Sequence, residues 1–220
     1  MAVVRVLTPE FLLGGCVLDL KMDEGEGTSV KDASGYGNHG NITGAVWTDG
    51  YYRKALSFDG VDDYVIVPNV VTNKNEMSFS VWAKTNSITK NQDIFNAANP
   101  SSPYDGFLFS FRSDGGIWVR WDNLGSTKQL AVSGQLDLNW NHWGIVIGNS
   151  KIELYKNGKS VGVYSTTIDT ITSNYEFRIG RFISGTGQYN GLIDEVRIYN
   201  RALTPQEILD HYIIGKEMFG

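Results

Sequence analysis

Aromatic residues at every second position limit what this chain can become. Phe107, Phe109 and Phe111 alternate with Leu108, Ser110 and Arg112. After the turn Asp114-Gly115-Gly116 the pattern resumes, with Ile117, Val119 and Trp121 set against Trp118, Arg120 and Asp122. A period of two puts each apolar set on one face of a strand, whereas a helix would scatter it around its circumference. Two such runs about a Gly-rich turn make an antiparallel hairpin, with Arg112, Trp118 and Arg120 together on its non-core face. Met77 to Thr85 repeats the device: Phe79, Val81 and Ala83 oppose Ser80, Trp82 and Lys84. Asn157-Gly158 joins Lys151–Lys156 to Lys159–Tyr164 and suits the positive φ angles of a type I′ hairpin turn.

Further short strands are expected at Cys16 to Met22, Ala55 to Phe58, Tyr64 to Val67, Trp140 to Ile147, Glu176 to Arg181 and 191–199. Only one helix is signalled, over about 204–214. Thr204 is its N-cap, Pro205 suits its first position, and Glu207 completes a capping box. The chain has 220 residues, 25 of them glycine, and no internal repeat, so it reads as one all-β domain of two antiparallel sheets packed face to face. Residues 16–220 form that domain. Residues 1–15 precede it as an apolar arm or extra edge strand, carrying Val4, Val6, Leu7, Phe11 and Leu12.

The net charge is −5 and no basic cluster occurs, which excludes a nucleic-acid partner. Cys16 is the only cysteine, so no intrachain disulfide exists, and its apolar neighbours mark a buried, inert thiol. No stretch approaches the ~20 apolar residues of a membrane span. Pro9 and Glu10 interrupt the opening apolar run, which makes a poor signal peptide.

Asp194 stands out in the strand 191–199. Strict alternation places it with Leu192, Val196 and Ile198, pointing toward apolar surface, where a carboxylate needs a partner or a metal. Four stretches resemble the laminin-G-like, concanavalin A-like jelly-roll domains. They are Asp32-Ala33-Ser34-Gly35-Tyr36-Gly37-Asn38-His39-Gly40, the run 55–65 ending Asp59-Gly60-Val61-Asp62-Asp63-Tyr64-Val65, Trp140-Asn141-His142-Trp143 with Leu154 to Gly158, and Gly191 to Ile208. The resemblance implies a concanavalin A-like sandwich, residues 16–212 at least, with one concave face. It also implies a structural calcium held by Asp194 with groups near the chain's start, for which Asp23, Asp32 and Asn38 are the candidates. Oxygen donors without cysteine or paired histidine suit calcium. Asp59 and Asp62 read as turn formers that cap backbone amides, and Asp63 as a slightly stronger site candidate.

Aromatic rings stack on sugar faces, and planar polar groups take hydroxyls. The candidate ligand residues are therefore Trp118, Trp82 and Tyr104, with Arg112 and Arg120 as donors. No nucleophile elbow, phosphate loop, metal-hydrolase histidine pair or glycosidase E-x-D-x-x-E run occurs, so no enzyme is expected. His142 reads as buried and hydrogen-bonded, and His211 as a surface residue on the helix. Two functions fit: a calcium-stabilised binding module for a glycan or a surface partner, acting outside the cell, or a structural subunit of an assembly such as a virion or appendage, docking through residues 1–15.

Overall fold

The computed structural model describes residues 13–68, 70, 75–98, 106–123, 126–168, 176–182 and 184–219. Of the expected features, Tyr104 and residues 1–12 of the arm lie outside that set. Among the described residues the strands form two antiparallel sheets. The first runs β14 (Lys159–Ser165), β13 (Lys151–Lys156), β12 (Asn141–Gly148), β7 (Met77–Thr85), β16 (Asn190–Tyr199), β5 (Lys54–Asp59) and β4 (Val46–Asp49). β1 (Cys16–Leu20) shares with β5 one edge of β16, pairing with its C-terminal half. The second sheet runs β11 (Ser126–Val132), β10 (Ile117–Asn123), β9 (Gly106–Phe111), β8 (Gln92–Ala98), β15 (Phe177–Ile179), β6 (Tyr64–Val67), β3 (Gly40–Thr43) and β2 (Ser29–Val30).

The alternating aromatics meet between the sheets. Phe79 of β7 stacks on Phe107 of β9 at 4.2 Å between ring centres, and Phe95, Phe109, Phe111, Trp121 and Trp143 continue the layer. Burying one such side chain contributes roughly 1.5–3 kcal/mol, so this layer holds the sheets together. On the outer face of the first sheet lies α1 (Pro205–Phe219). Its capping box forms as expected: Glu207 N–H donates to Thr204 Oγ1, and Thr204 N–H donates to Glu207 Oε2. Arg201 grips the same Glu207 carboxylate with both terminal nitrogens.

The Asn157-Gly158 turn has the required positive φ at both residues, +50° and +75°. It also seats the helix, because a Cβ on Gly158 would lie 2.7 Å from Leu209 Cδ1. Gly158→Ala is therefore expected to cost about 1–2 kcal/mol for the left-handed backbone alone, and more from the displaced Leu209. A urea midpoint equal to that of the parent would contradict this account.

Two bulges shift the faces that simple alternation assigns. In β16 the register slips between Asp194 and Arg197, where Glu195 adopts φ +51°. Ile193 consequently joins Val196 and Ile198 in the core, and Asp194 turns outward with Arg197 and Tyr199. The expected pairing of Asp194 with the apolar face is thus corrected: one extra residue in the strand reverses it. In β8 the slip falls between Asp93 and Phe95. Ile94 and Phe95 both enter the core, and Asp93 and Asn96 both face outward.

Candidate functional site

The outer face of the second sheet gathers polar side chains that β9 and β10 aim away from the core. Trp118 lies opposite Ser110, and Arg120 opposite Leu108. Arg112, Trp118 and Arg120 share this face, as the alternation requires. The Arg112 guanidinium lies 3.9 Å over the Trp118 ring, and Arg120 is 3.0 Å from Asp122. Across β8 and β15 the face continues through Asn96 to Arg178, which pairs with Glu176, and to Arg181. Both Arg178 and Arg181 lie 5.4 Å from the Tyr64 ring centre.

Beneath these long side chains lies a buried polar floor that sequence reasoning missed. Asn96 and Ser110 are fully buried, and Asp93 is 6% exposed. Asn96 Nδ2 donates to the Arg181 carbonyl at 2.8 Å, and among the described residues its Oδ1 has no donor and Ser110 Oγ has no partner. The loop after β15 presses against Asp93, where a Cβ on Gly187 would lie 2.1 Å from the carboxylate. Burial pushes the Asp93 carboxyl up to about 7, against the pull of Arg112. Strict alternation would put Asp93 and Asn96 on opposite faces. The only sequence signal is the apolar pair Ile94-Phe95 between them.

Trp82 belongs elsewhere. It lies on the outer face of the first sheet beneath α1, 3% exposed, with Tyr51 stacked on it at 3.7 Å and Gly215 closing over it. It is a structural ring between sheet and helix and does not meet Trp118. His211 is likewise inside, 4% exposed, and its Nε2 meets the Tyr199 hydroxyl at 2.9 Å. The expected surface position was wrong because residues facing the sheet recur on α1 at 208, 211 and 215, so His211 falls on the buried side of the helix. His142 is buried as expected, with Nε2 2.8 Å from Ser80 Oγ. Burial pushes the Cys16 thiol up to about 11, which keeps it unreactive.

The acids expected around a cation divide into separate groups. Asp194 is fully buried under the turn between β4 and β5, where Oδ2 accepts from Tyr52 N–H at 3.0 Å and Oδ1 has no partner among the described residues. Burial first, then the charges of Glu195 and Asp23, push its carboxyl up to about 8. Asp23 joins this niche, accepting from Lys54 N–H at 3.4 Å. Asp32 instead organises its own loop. Its carboxylate accepts from the Asp19, Ser34 and Asn38 amides and the Ser34 hydroxyl, and these bonds outweigh burial to hold its pKa below the usual range. Asn38 ties that loop to β1 through the Val17 carbonyl. A third group, Asp59, Asp62 and Asp63, brings ligand oxygens within 4.8 Å of one another, with Asp63 buried and the other two exposed. Asp59 Oδ1 caps the Val61 amide, and Asp63 Oδ2 caps that of Asp59. The cluster is able to hold a divalent cation, without marking which one.

Solved structures share this fold. The binding domain of Paraclostridial Mosquitocidal Protein 1 superposes with a TM-score of 0.75 at 19% identity, over 91% of this chain and 52% of that one. The receptor binding domain of botulinum neurotoxin D gives 0.74 at 17% identity, over 92% and 53%. Domain 4 of AbnA, a GH43 extracellular arabinanase from Geobacillus stearothermophilus solved with arabinotriose, gives 0.71 at 23% identity, over 89% and 97%. This chain thus spans about half the length of the toxin chains and nearly all of the arabinanase domain. The sequence model described as the concanavalin A-like lectin/glucanases superfamily matches residues 59–209, from the Asp59 turn through the Asp194 strand into α1, and the chain belongs to that superfamily.

Proposed function

We propose that this domain is a non-catalytic binding module that takes a glycan, or a glycan-bearing surface, on the outer face of its second sheet. The polar floor beneath Arg112, Trp118 and Arg120 carries the reading, because buried polar groups without partners cost about 1–3 kcal/mol each and call for an explanation. The binding and receptor-binding domains of toxins and the arabinotriose-bound domain of an arabinanase support a binding role outside the cell. Titration of immobilised protein with a glycan array tests it. Trp118→Ala, which removes the aromatic ring from this face, should abolish whatever signal the parent gives. Undiminished binding would move the site off this face.

Calcium is the cation proposed for the Asp194 niche. The fit rests on the donor set: one fully buried carboxylate oxygen without a partner, and a second carboxylate, Asp23, close enough to repel it. Both donors are hard oxygens, which calcium accepts at ~2.3–2.6 Å in loose geometry. A bound ion would neutralise the pair. Asp194 and Asp23 would hold it, joining the last strand to the segment after the first. Asp32 and Asn38 would act indirectly, by fixing the loop that follows β1. Binding only to the native state stabilises by roughly 2.7 kcal/mol when free ion is 100 times its dissociation constant. The melting temperature should fall in chelator and recover with calcium more than with magnesium. Asp194→Asn should blunt that response, and Asp114→Asn, whose side chain only caps the Gly116 amide, should not. A melting curve indifferent to chelator, with no metal by elemental analysis, would leave Asp194 a structural acid.

A further inference from the structure

We propose that the outer face of the second sheet selects a neutral sugar over an acidic one, with Asp93, Asn96 and Ser110 as the groups that read its hydroxyls. The proposal rests on the binding role given above and adds the ligand's chemical class. Four arginines on one face, Arg112, Arg120, Arg178 and Arg181, would by count favour an anionic ligand. Acids beside three of the four offset that preference. Arg120 is 3.0 Å from Asp122, Arg178 pairs with Glu176, and Arg112 faces the Asp93 carboxylate.

The floor itself decides the class. Asn96 spends one of its two Nδ2 hydrogens on the Arg181 carbonyl and leaves its Oδ1 as an open acceptor. Asp93 presents acceptors whenever it is ionised. Ser110 Oγ can donate or accept, and does neither among the described residues. A ligand that satisfies this set must donate at least two hydrogen bonds, to Asn96 Oδ1 and to Asp93, and can accept from Ser110 and the remaining Asn96 N–H. Sugar hydroxyls do both. A carboxylate, sulfate or phosphate offers only acceptors and would face the lone pairs of Asn96 and Asp93. An ammonium group would suit Asp93 but would sit among the guanidinium groups. The residues beside the floor in register are Trp118 across from Ser110, and Leu108 and Arg178 across from Asn96. All three are half-buried, and Arg178 leans on a carboxylate of its own segment. A hydroxylated ring enters by swinging such long side chains aside. Trp118 then supplies the apolar wall once Arg112 has shifted.

Calorimetry of the whole chain at pH 7.5 with calcium tests the class directly. The probes are neutral trisaccharides of arabinose, xylose, glucose and mannose, the acidic sugars trigalacturonate and sialyllactose, and the cationic glucosamine trimer. The expected result is binding of at least one neutral sugar and none of the charged ones. Ser110→Ala should weaken that binding about tenfold, as loss of one buried hydrogen bond does. It should leave the melting temperature of the unliganded protein unchanged or higher, because it removes a polar atom that had no partner. Binding confined to acidic or cationic sugars overturns the class and leaves the binding role standing. Neutral binding that ignores Ser110→Ala overturns the floor as the reader. If no sugar of any class binds, and Ser110→Ala lowers the melting temperature, the hydroxyl serves the fold through a fixed water, and both proposals fall.

Discussion

Arg197→Ala is expected to remove about 3–5 kcal/mol of folding stability, the cost of leaving a buried ion pair half-made. The guanidinium lies on the outer face of β16 with Nε 2.9 Å from Asp19 of β1, off the line of a hydrogen bond, and with Nη2 on Glu195. Asp19 and Glu195 are 2% and 5% exposed, so neither has water to turn to. Those two charges hold the guanidinium protonated well above its usual range despite burial. Truncation would strand two carboxylates. Replacing Arg197, Asp19 and Glu195 together by apolar residues of similar size should recover much of the loss, since an ion pair and a well-packed apolar cluster are often close in energy. Chemical denaturation of the single and triple variants measures both quantities. Equal losses in the two would show that packing, not charge, governs the site.

Two buried histidines make the same region sensitive to acid. Burial first, then the Arg197 charge, press His142 down to about 3, and His211 is held well below its usual range by burial, Arg197 and its fellow histidine. Their rings lie 6.4 Å apart between β12 and α1. In the unfolded chain both would take protons below about pH 6.5. The folded state refuses them, so the unfolded state binds more protons and stability falls as pH falls. Each histidine contributes about 1.4 kcal/mol per pH unit below 6.5 until its folded pKa is reached. Asp93 and Asp194, both held high, have the opposite sign and lose stability as pH rises from about 4 toward 7–8. The histidine term therefore shows in the difference between the parent and the double variant His142→Gln/His211→Gln. That difference should change by about 5 kcal/mol between pH 6.5 and 4.5. A difference independent of pH would mean that the rings are hydrated or already charged.

Much of this architecture was legible because it is local. The alternating phenylalanines of β9, the Asn157-Gly158 turn and the Thr204-Glu207 capping box each act within a few residues, and each formed as read. The outward-facing trio Arg112, Trp118 and Arg120 followed from alternation about one turn. What failed depended on one inserted residue or on a distant neighbour. The bulges at Glu195 and Ile94 reverse the faces on either side, which misplaced Asp194 and hid Asp93 and Asn96. Trp82 and Lys84 look alike by spacing, but only Trp82 lies under α1, which arrives more than a hundred positions later. Asp32 has the composition of a ligand and the hydrogen bonds of a loop organiser, and only the fold distinguishes the two.

The position of β16 has a consequence for the order of assembly. It is the last of the described strands, yet it sits in the interior of the first sheet, with β7 along one edge and β1 and β5 along the other. On a chain emerging from the ribosome, three earlier strands must wait for it with their hydrogen-bonding groups exposed. The hairpins of β9–β10 and β13–β14 can close as they appear, because their partners are adjacent in sequence. The first sheet cannot. Its closure joins segments remote along the chain, which makes folding slow. Until residues 190–199 are free of the exit tunnel, the open edges of β1, β5 and β7 form a vacant slot that a strand from another molecule can occupy.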